Sequence, residues 1–328
     1  MEIYFQNGTM KKSKYMEGND NEFYVQVLDS TSHVTEHYIY PGNELNYELD
    51  SELVTLYDKL RDTLFVSVDE YYKQCCSMPI FVQSAGQDSE SSITASQFQE
   101  LLKLSALNNN LCIDLYRHLY LVDCQYLVGT IQNLLSGMED AFINYFIKIC
   151  GISSLAISNP DTTYFVMSQS VRNISSLLES YFTKAYSILD MFCKLAYELE
   201  YPMLDFSKYR KLKSAKLLWG DKKKLSVNRT AETIFERCDS ISSIESLRNE
   251  VVHNGSWELN PKAFIVVQQG IEVERFMLFP DIKQGHLTTV KNRNHFFGNG
   301  VKVNDLLPEI HNQFLKRVLK TAKILNGL

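Results

Sequence analysis

Arg248, Asn249 and His253 are the residues of this chain whose types and spacing could do chemistry, and Arg248 to His253 is its one Arg-x4-His pair. On a helix, positions four apart share a face, so Asn249 and His253 line up. The long Arg248 side chain beside them can swing onto the same face. A guanidinium holds phosphate oxygens bidentately, an imidazole moves a proton near neutral pH, and an amide hydrogen-bonds to either. Together they suit work on a phosphodiester. Asn254-Gly255 supplies a helix stop, because glycine most easily takes the left-handed conformation that ends a helix and asparagine follows it. His253 is thereby expected in the last turn, where exposed carbonyls and the negative end of the helix dipole favour an imidazolium. The same residues also fit a surface helix end on which Arg and His do no more than satisfy carbonyls.

Three stretches must position this group. Thr230 can cap a short helix carried by Ala231, Ile234, Phe235 and Cys238, with the motif on the next helix. Residues 208–229 hold nine basic residues and one acidic one, net +8 in a chain of net charge −6. Such asymmetry points to a polyanion partner, and Lys211, Lys213, Lys216, Lys222, Lys223, Lys224 and Arg229 are candidate RNA-binding residues. Tyr209 and Trp219 lie among them and could stack on unpaired bases. The other reading of this run is a solvated lysine-rich loop around a helix whose Leu212, Leu217, Leu218 and Trp219 are core. Residues 163–200 carry the longest helical pattern, with Val171, Ile174, Leu178, Phe182, Ala185, Leu189, Phe192 and Ala196 as its buried stripe. Asp190 interrupts it, either on the solvated side or as a partly buried carboxylate needing a partner.

An Arg with a polar residue directly after it and a His separated from it by four residues, on a late helix of a mostly helical chain, resembles the HEPN superfamily (higher eukaryotes and prokaryotes nucleotide-binding). The resemblance rests on Arg248-Asn249-Glu250-Val251-Val252-His253. It implies a mainly α fold: a HEPN-like helical bundle over about 161–328, with a small β-hairpin insertion and short N-terminal strands. It also implies a metal-independent endoribonuclease that acts on single-stranded RNA as a homodimer and uses no cofactor. Such proteins are often found in toxin–antitoxin or antiphage defence systems, with an antitoxin or defence partner. By that resemblance Arg248 binds the scissile phosphate and His253 transfers protons as the ribose 2'-hydroxyl attacks, leaving a 2',3'-cyclic phosphate. Asn249 hydrogen-bonds phosphate or holds the imidazole, and Asp190 becomes a candidate orienter of Arg248 or His253. One HEPN subgroup, paired with nucleotidyltransferase antitoxins, carries Tyr two residues after the His; Gly255 stands there in this chain. Two other functions fit the same sequence. One is a catalytically silent HEPN-like module that binds RNA, nucleotide or protein; the other is a helical scaffold in which the motif is accidental.

Composition sets the frame. Apolar residues make up 45% and charged ones 22% of 328, as in an ordinary globular protein with room for one large core or two smaller ones. The net charge of −6 argues against a uniformly basic duplex-DNA binder. Seven cysteines without Cys-x2-Cys spacing argue against zinc, and the neighbours Cys75 and Cys76 read as reduced thiols of a cytoplasmic protein. No apolar signal core opens the chain, and Asp114, Arg117, His118 and Asp123 break its most apolar stretch, so no membrane partner is expected. Residues 1–10 resemble a protease-site tag scar and are set apart from the fold, with residues 11–160 as an N-terminal region of strands and helices. No Gly-rich phosphate loop, Gly-x-Ser-x-Gly elbow or acidic metal-nuclease cluster appears.

The remaining elements follow from period and punctuation. Residues 22–28 and 33–40 read as short strands, with His33 and His37 too far apart on a strand for a metal pair. A helix from Asp50 or Ser51 runs through Leu53, Leu56, Leu60, Leu64, Val68 and Tyr71, and a shorter one covers 94–107. Residues 111–150 are helical with an interruption near Gly137, and Asp114, Arg117 and His118 there read as a surface ion pair. A hairpin turns at Gln269-Gly270. Lys291, Arg293 and His295 form a second basic cluster in a loop, and Asp305 caps a final helix with Ile310, Phe314, Val318 or Leu319, Ala322 and Leu325 buried.

Overall fold

A computed structural model describes residues 2–12, 23–28, 37–107, 109–153 and 160–328. The β-prone Ile-Tyr-Phe of the opening segment forms β1 (Glu2–Phe5), which buries Ile3 and Tyr4. β1 pairs antiparallel with β2 (Met10–Lys12) and β3 (Tyr24–Leu28), and β3 pairs with β4 (His37–Ile39), so the sheet order is β2-β1-β3-β4. This corrects the expectation that residues 1–10 stand apart from the fold. A likeness in composition to a tag says nothing about pairing, and here the Arg275 amide donates to the Asn7 carbonyl at 2.8 Å and the Asn304 side chain to the Gln6 carbonyl at 2.6 Å. β3 and β4 match the two expected strands; His33 and the His37 side chain lie outside the described residues.

α1 (Glu44–Leu64) begins before Asp50 and stops at Phe65, and α2 (Val68–Ser77) starts afresh with Ser67 as its cap, accepting the Glu70 amide at 3.1 Å. The single helix read from the sequence is thus two, because the spacing of four from Leu64 to Val68 carries across the break. α3 (Ala95–Ser105) has the capping box that Thr94 and Gln97 supply, and α4 (Asn109–Cys150) runs 42 residues without interruption. At Gly137 an added Cβ would stand 2.7 Å from the Lys184 ammonium, so this glycine makes room for a neighbour.

β5 (Thr162–Val166) replaces the start of the long helix expected from residue 163; its β-branched and aromatic residues pair instead of coiling. α5 (Gln169–Glu200) follows, and every stripe residue named from the sequence is at most 1% exposed. Fully burying each large apolar side chain contributes about 1.5–3 kcal/mol. After α6 (Asp239–Asn254), β6 (Ala263–Gln268) and β7 (Ile271–Phe276) form the expected hairpin, with β5 on the other edge of β6. β8 (Ile282–Lys283) and β9 (His286–Leu287) make a small ladder, and α7 (Val303–Gly327) ends with the predicted buried stripe. The chain is mainly helical.

Instead of dividing near residue 160, the chain packs as two interleaved units. The first is Met1–Glu48, Leu134–Ser187 and Glu236–Val318; the second is Leu49–Asn133, Ile188–Phe235 and Leu319–Leu328. Within the second, residues 201–218 have no regular structure and are held by a buried carboxylate: Glu198 accepts the Tyr120 hydroxyl at 2.9 Å and the Ser214 amide at 2.7 Å. Among the described residues no helix is long and apolar enough to cross a membrane.

Candidate active site

The motif lies on α6. Its apolar face, Ile241, Ile244 and Leu247, is buried, and Asp239 in its first turn suits the positive helix end. The short helix expected at 230–238 is a run of turns, because Arg229 and Glu232 sit at φ +67° and +61°, where a helix cannot propagate. The Thr230 hydroxyl donates to the Val227 carbonyl at 2.7 Å and caps no helix. The stop falls where expected: α6 ends at Asn254, and Gly255, at φ +89°, donates its amide to the Val251 carbonyl at 3.2 Å.

In the last two turns the Arg248 guanidinium carbon lies 4.3 Å from the centre of the Tyr186 ring, and its Nη1 donates to Asn249 Oδ1 at 3.0 Å. A cation over an aromatic face gains about 0.5–2 kcal/mol, enough to hold a long side chain in one orientation. Arg248 and Asn249 are half-buried; His253, one turn on, is exposed, and no described residue hydrogen-bonds to its ring. A positioned guanidinium, an amide beside it and an accessible imidazole thus share one helix end.

Another face of α6 carries contacts that the sequence reading passed over. The Ser246 hydroxyl donates to the Gly285 carbonyl at 2.9 Å and lies 3.3 Å from His286 Nδ1. Glu250 Oε2 is 3.0 Å from His295 Nε2 and accepts the Asn254 amide at 2.8 Å. Asp281 anchors the loop that brings these histidines, its carboxylate accepting the Gly298 and Asn299 amides, each at 3.0 Å. Ser242, Ser246 and Glu250 recur at fours, a polar stripe that marks a covered face. Lys291 and Arg293 of the same loop are exposed.

Asp190 belongs to the second unit, where its Oδ1 accepts the Trp219 amide at 2.6 Å and starts the 3-10 turn Trp219–Lys224. Asp190→Ala is expected to cost about 1–3 kcal/mol of stability, measured by urea unfolding, by leaving that amide without its acceptor. The seven candidate RNA-binding residues are also in the second unit. Lys211, Lys213, Lys216, Lys223, Lys224 and Arg229 are exposed, whereas Lys222 is half-buried with its ammonium 3.7 Å from the Trp219 ring centre. Lys224 pairs with Asp221 at 2.9 Å, and Lys213 reaches the Tyr201 carbonyl at 3.3 Å. The expectation that Tyr209 and Trp219 stack on bases is corrected. Trp219 is 1% exposed and stacks on Phe235, and Tyr209 packs on Tyr116 and donates its hydroxyl to Asp123 at 2.9 Å. Aromatic residues among lysines satisfied the sequence pattern equally well as core.

No known family model, curated protein or solved structure matches this chain. What the site can do therefore rests on its own side chains. Among the described residues no three His, Cys, Asp or Glu side chains converge as metal ligands.

Proposed function

We propose that the chain is an endoribonuclease of HEPN type that cleaves single-stranded RNA without a metal, through attack of the ribose 2'-hydroxyl on the adjacent phosphate. The observation that carries this reading is the Arg248 guanidinium, held over the Tyr186 ring and hydrogen-bonded to Asn249, on the same helix end as the exposed His253. In the proposed reaction Arg248 binds the scissile phosphate and stabilises the charge that builds on its oxygens. His253 takes the 2'-hydroxyl proton or delivers one to the leaving 5'-oxygen, and the product ends are a 2',3'-cyclic phosphate and a 5'-hydroxyl. One chain offers few catalytic groups, and a homodimer would bring two copies of the motif to one substrate. The exposed lysines of residues 208–229 supply the cationic surface for the RNA backbone. A toxin–antitoxin or antiphage defence setting, with its partner protein, follows from the same family reading.

A second reading, a catalytically silent HEPN-like module that binds RNA, nucleotide or protein, is favoured by the His253 ring, to which no described residue hydrogen-bonds.

The deciding experiment is cleavage of a mixed-sequence single-stranded RNA in EDTA by wild type, Arg248→Ala and His253→Ala. We expect cleavage to survive EDTA and to fall at least about 100-fold in each variant, with cyclic-phosphate ends. Equal activity in all three proteins would sink the assignment of these residues. RNA binding without cleavage in any of them would favour the silent module.

A further inference from the structure

The second unit holds a cavity of about 260 Å³ lined by Cys75, Cys76, Met78, Pro79, Gln83 and His118. The α2 residue Cys75 is half-buried, and its Sγ lies 4.0 Å from His118 Nδ1 on α4. His118 is 1% exposed, stacks on Tyr71 (ring centres 6.3 Å apart), and its Nε2 has no hydrogen-bond partner among the described residues. The expected ion pair beside it is present, but it is Arg117 with Asp114 at 3.1 Å and with Glu70, so the guanidinium is engaged by carboxylates and His118 takes no part in the pair. Burial lowers the His118 pKa below its usual value, so the ring is neutral at pH 7. With no partner at Nε2, nothing among the described residues locks the tautomer against Nδ1 accepting a proton.

We propose that Cys75 and His118 form a thiol–imidazole pair that takes up low-molecular-weight disulfides from this cavity by thiol–disulfide exchange. His118 removes the Cys75 thiol proton as Sγ attacks one sulfur of the disulfide. The new Sγ–S bond forms as the old S–S bond breaks, its electron pair leaves on the other sulfur, and the imidazolium returns the proton to that thiolate. One thiol and one disulfide give one mixed disulfide and one thiol, so no outside oxidant is needed. Cys75 sits in the last turn of α2, and the His118 imidazole is the base within reach of its thiol. Cys76 is more exposed but points about 100° away around the helix, and consecutive Cα atoms about 3.8 Å apart are too close for an ordinary disulfide. The mixed disulfide on Cys75 is therefore not displaced by its neighbour. Cys75, Cys76 and His118 do not converge as metal ligands, which separates this site from a soft-metal one.

The test treats the reduced full chain with bis(2-hydroxyethyl) disulfide and follows each cysteine by peptide mass spectrometry. Cys75 is expected to react at least about tenfold faster than the more exposed Cys76, with the fast phase absent from Cys75→Ser and retained in Cys76→Ser. His118→Ala should slow Cys75 about tenfold, leave Cys76 unchanged, and recover on adding imidazole, which a purely structural role of the ring would not do. Faster reaction at Cys76 in the wild type, or a Cys75 rate untouched in His118→Ala with Cys76 unchanged, overturns the proposal. If His118→Ala accelerates both cysteines by loosening the fold, the wild-type ratio and the two serine variants decide.

Discussion

Gly285→Ala is expected to lower the unfolding free energy by about 3–5 kcal/mol, whereas Gly300→Ala should cost only about 1 kcal/mol. Both glycines have positive φ, +77° and +63°, so both substitutions strain the backbone. They differ in what the added carbon meets. At Gly285 it would stand 2.3 Å from Ser242 Cβ, 2.7 Å from the Asp239 carbonyl oxygen and 3.1 Å from the Ser243 nitrogen; at Gly300 nothing lies within 4 Å. Carbon atoms pack at about 3.5–4 Å, so the turn between β8 and β9 must lift off α6 by an ångström or more. Ser246 then loses the Gly285 carbonyl, and the His286 contact goes with it. Urea unfolding of the two variants side by side is the check. Equal losses would show that the turn does not bear on the helix.

Acid should destabilise the protein through His311, by about 1.4 kcal/mol per pH unit below pH 6.5 and on the order of 4 kcal/mol by pH 3. The ring is stacked on Phe142, with centroids 4.0 Å apart and planes 8° from parallel, and its Nε2 and Nδ1 lie 3.3 Å from the Tyr40 and Tyr181 hydroxyls. Tyr40 donates its own proton to Glu139 at 2.7 Å, so its oxygen accepts from Nε2–H, and Nδ1 accepts from Tyr181. Burial pushes the His311 pKa down to about 3. Its folded pKa is thus below its unfolded value near 6.5. Its contribution is intact above pH 6.5 and is lost as pH falls toward 3, because the unfolded chain takes a proton that the folded one refuses. His118, lowered by burial, acts in the same direction. Glu139, raised by burial, acts oppositely, over the interval from its raised folded value down to about 4.5. The comparison is urea unfolding of wild type and His311→Gln across pH 6.5 to 4.5, where the variant should lose one proton's worth of slope. An unchanged slope would show that His311 does not titrate with unfolding.

Burial period and local turn chemistry were legible in the sequence; what covers each face was not. The stripes of α5 and α7, the β6–β7 hairpin and the Gly255 stop all follow from residues a few positions apart. Residues 163–166 fall within the helical pattern expected from 163 because they abut a long helical period, although Thr-Thr-Tyr-Phe-Val over 162–166 favours a strand that only β6, about a hundred residues later, completes. The break before α2 was hidden by a spacing that continued across it. Arg248, Asn249 and His253 could be placed together because they lie within one helix. The Tyr186 ring under Arg248, the Glu250–His295 pair and the Asp190–Trp219 contact depend on long-range packing, which no local spacing encodes. Trp219 and Tyr209 show the reverse limit: an aromatic residue among lysines looks the same from sequence whether it faces a base or the core.

The interleaving of the two units bears on how the protein is made. Each unit draws on three stretches of chain, and the first takes in residues up to Val318 while the second closes with Leu319–Leu328. A ribosome therefore cannot release one finished unit and go on to the other. At about 5–20 residues per second, the helices facing into each core wait from several to tens of seconds for their last partners, with apolar stripes such as that of α5 still uncovered. Both units are completed together, once the stretch around Val318 and Leu319 has emerged.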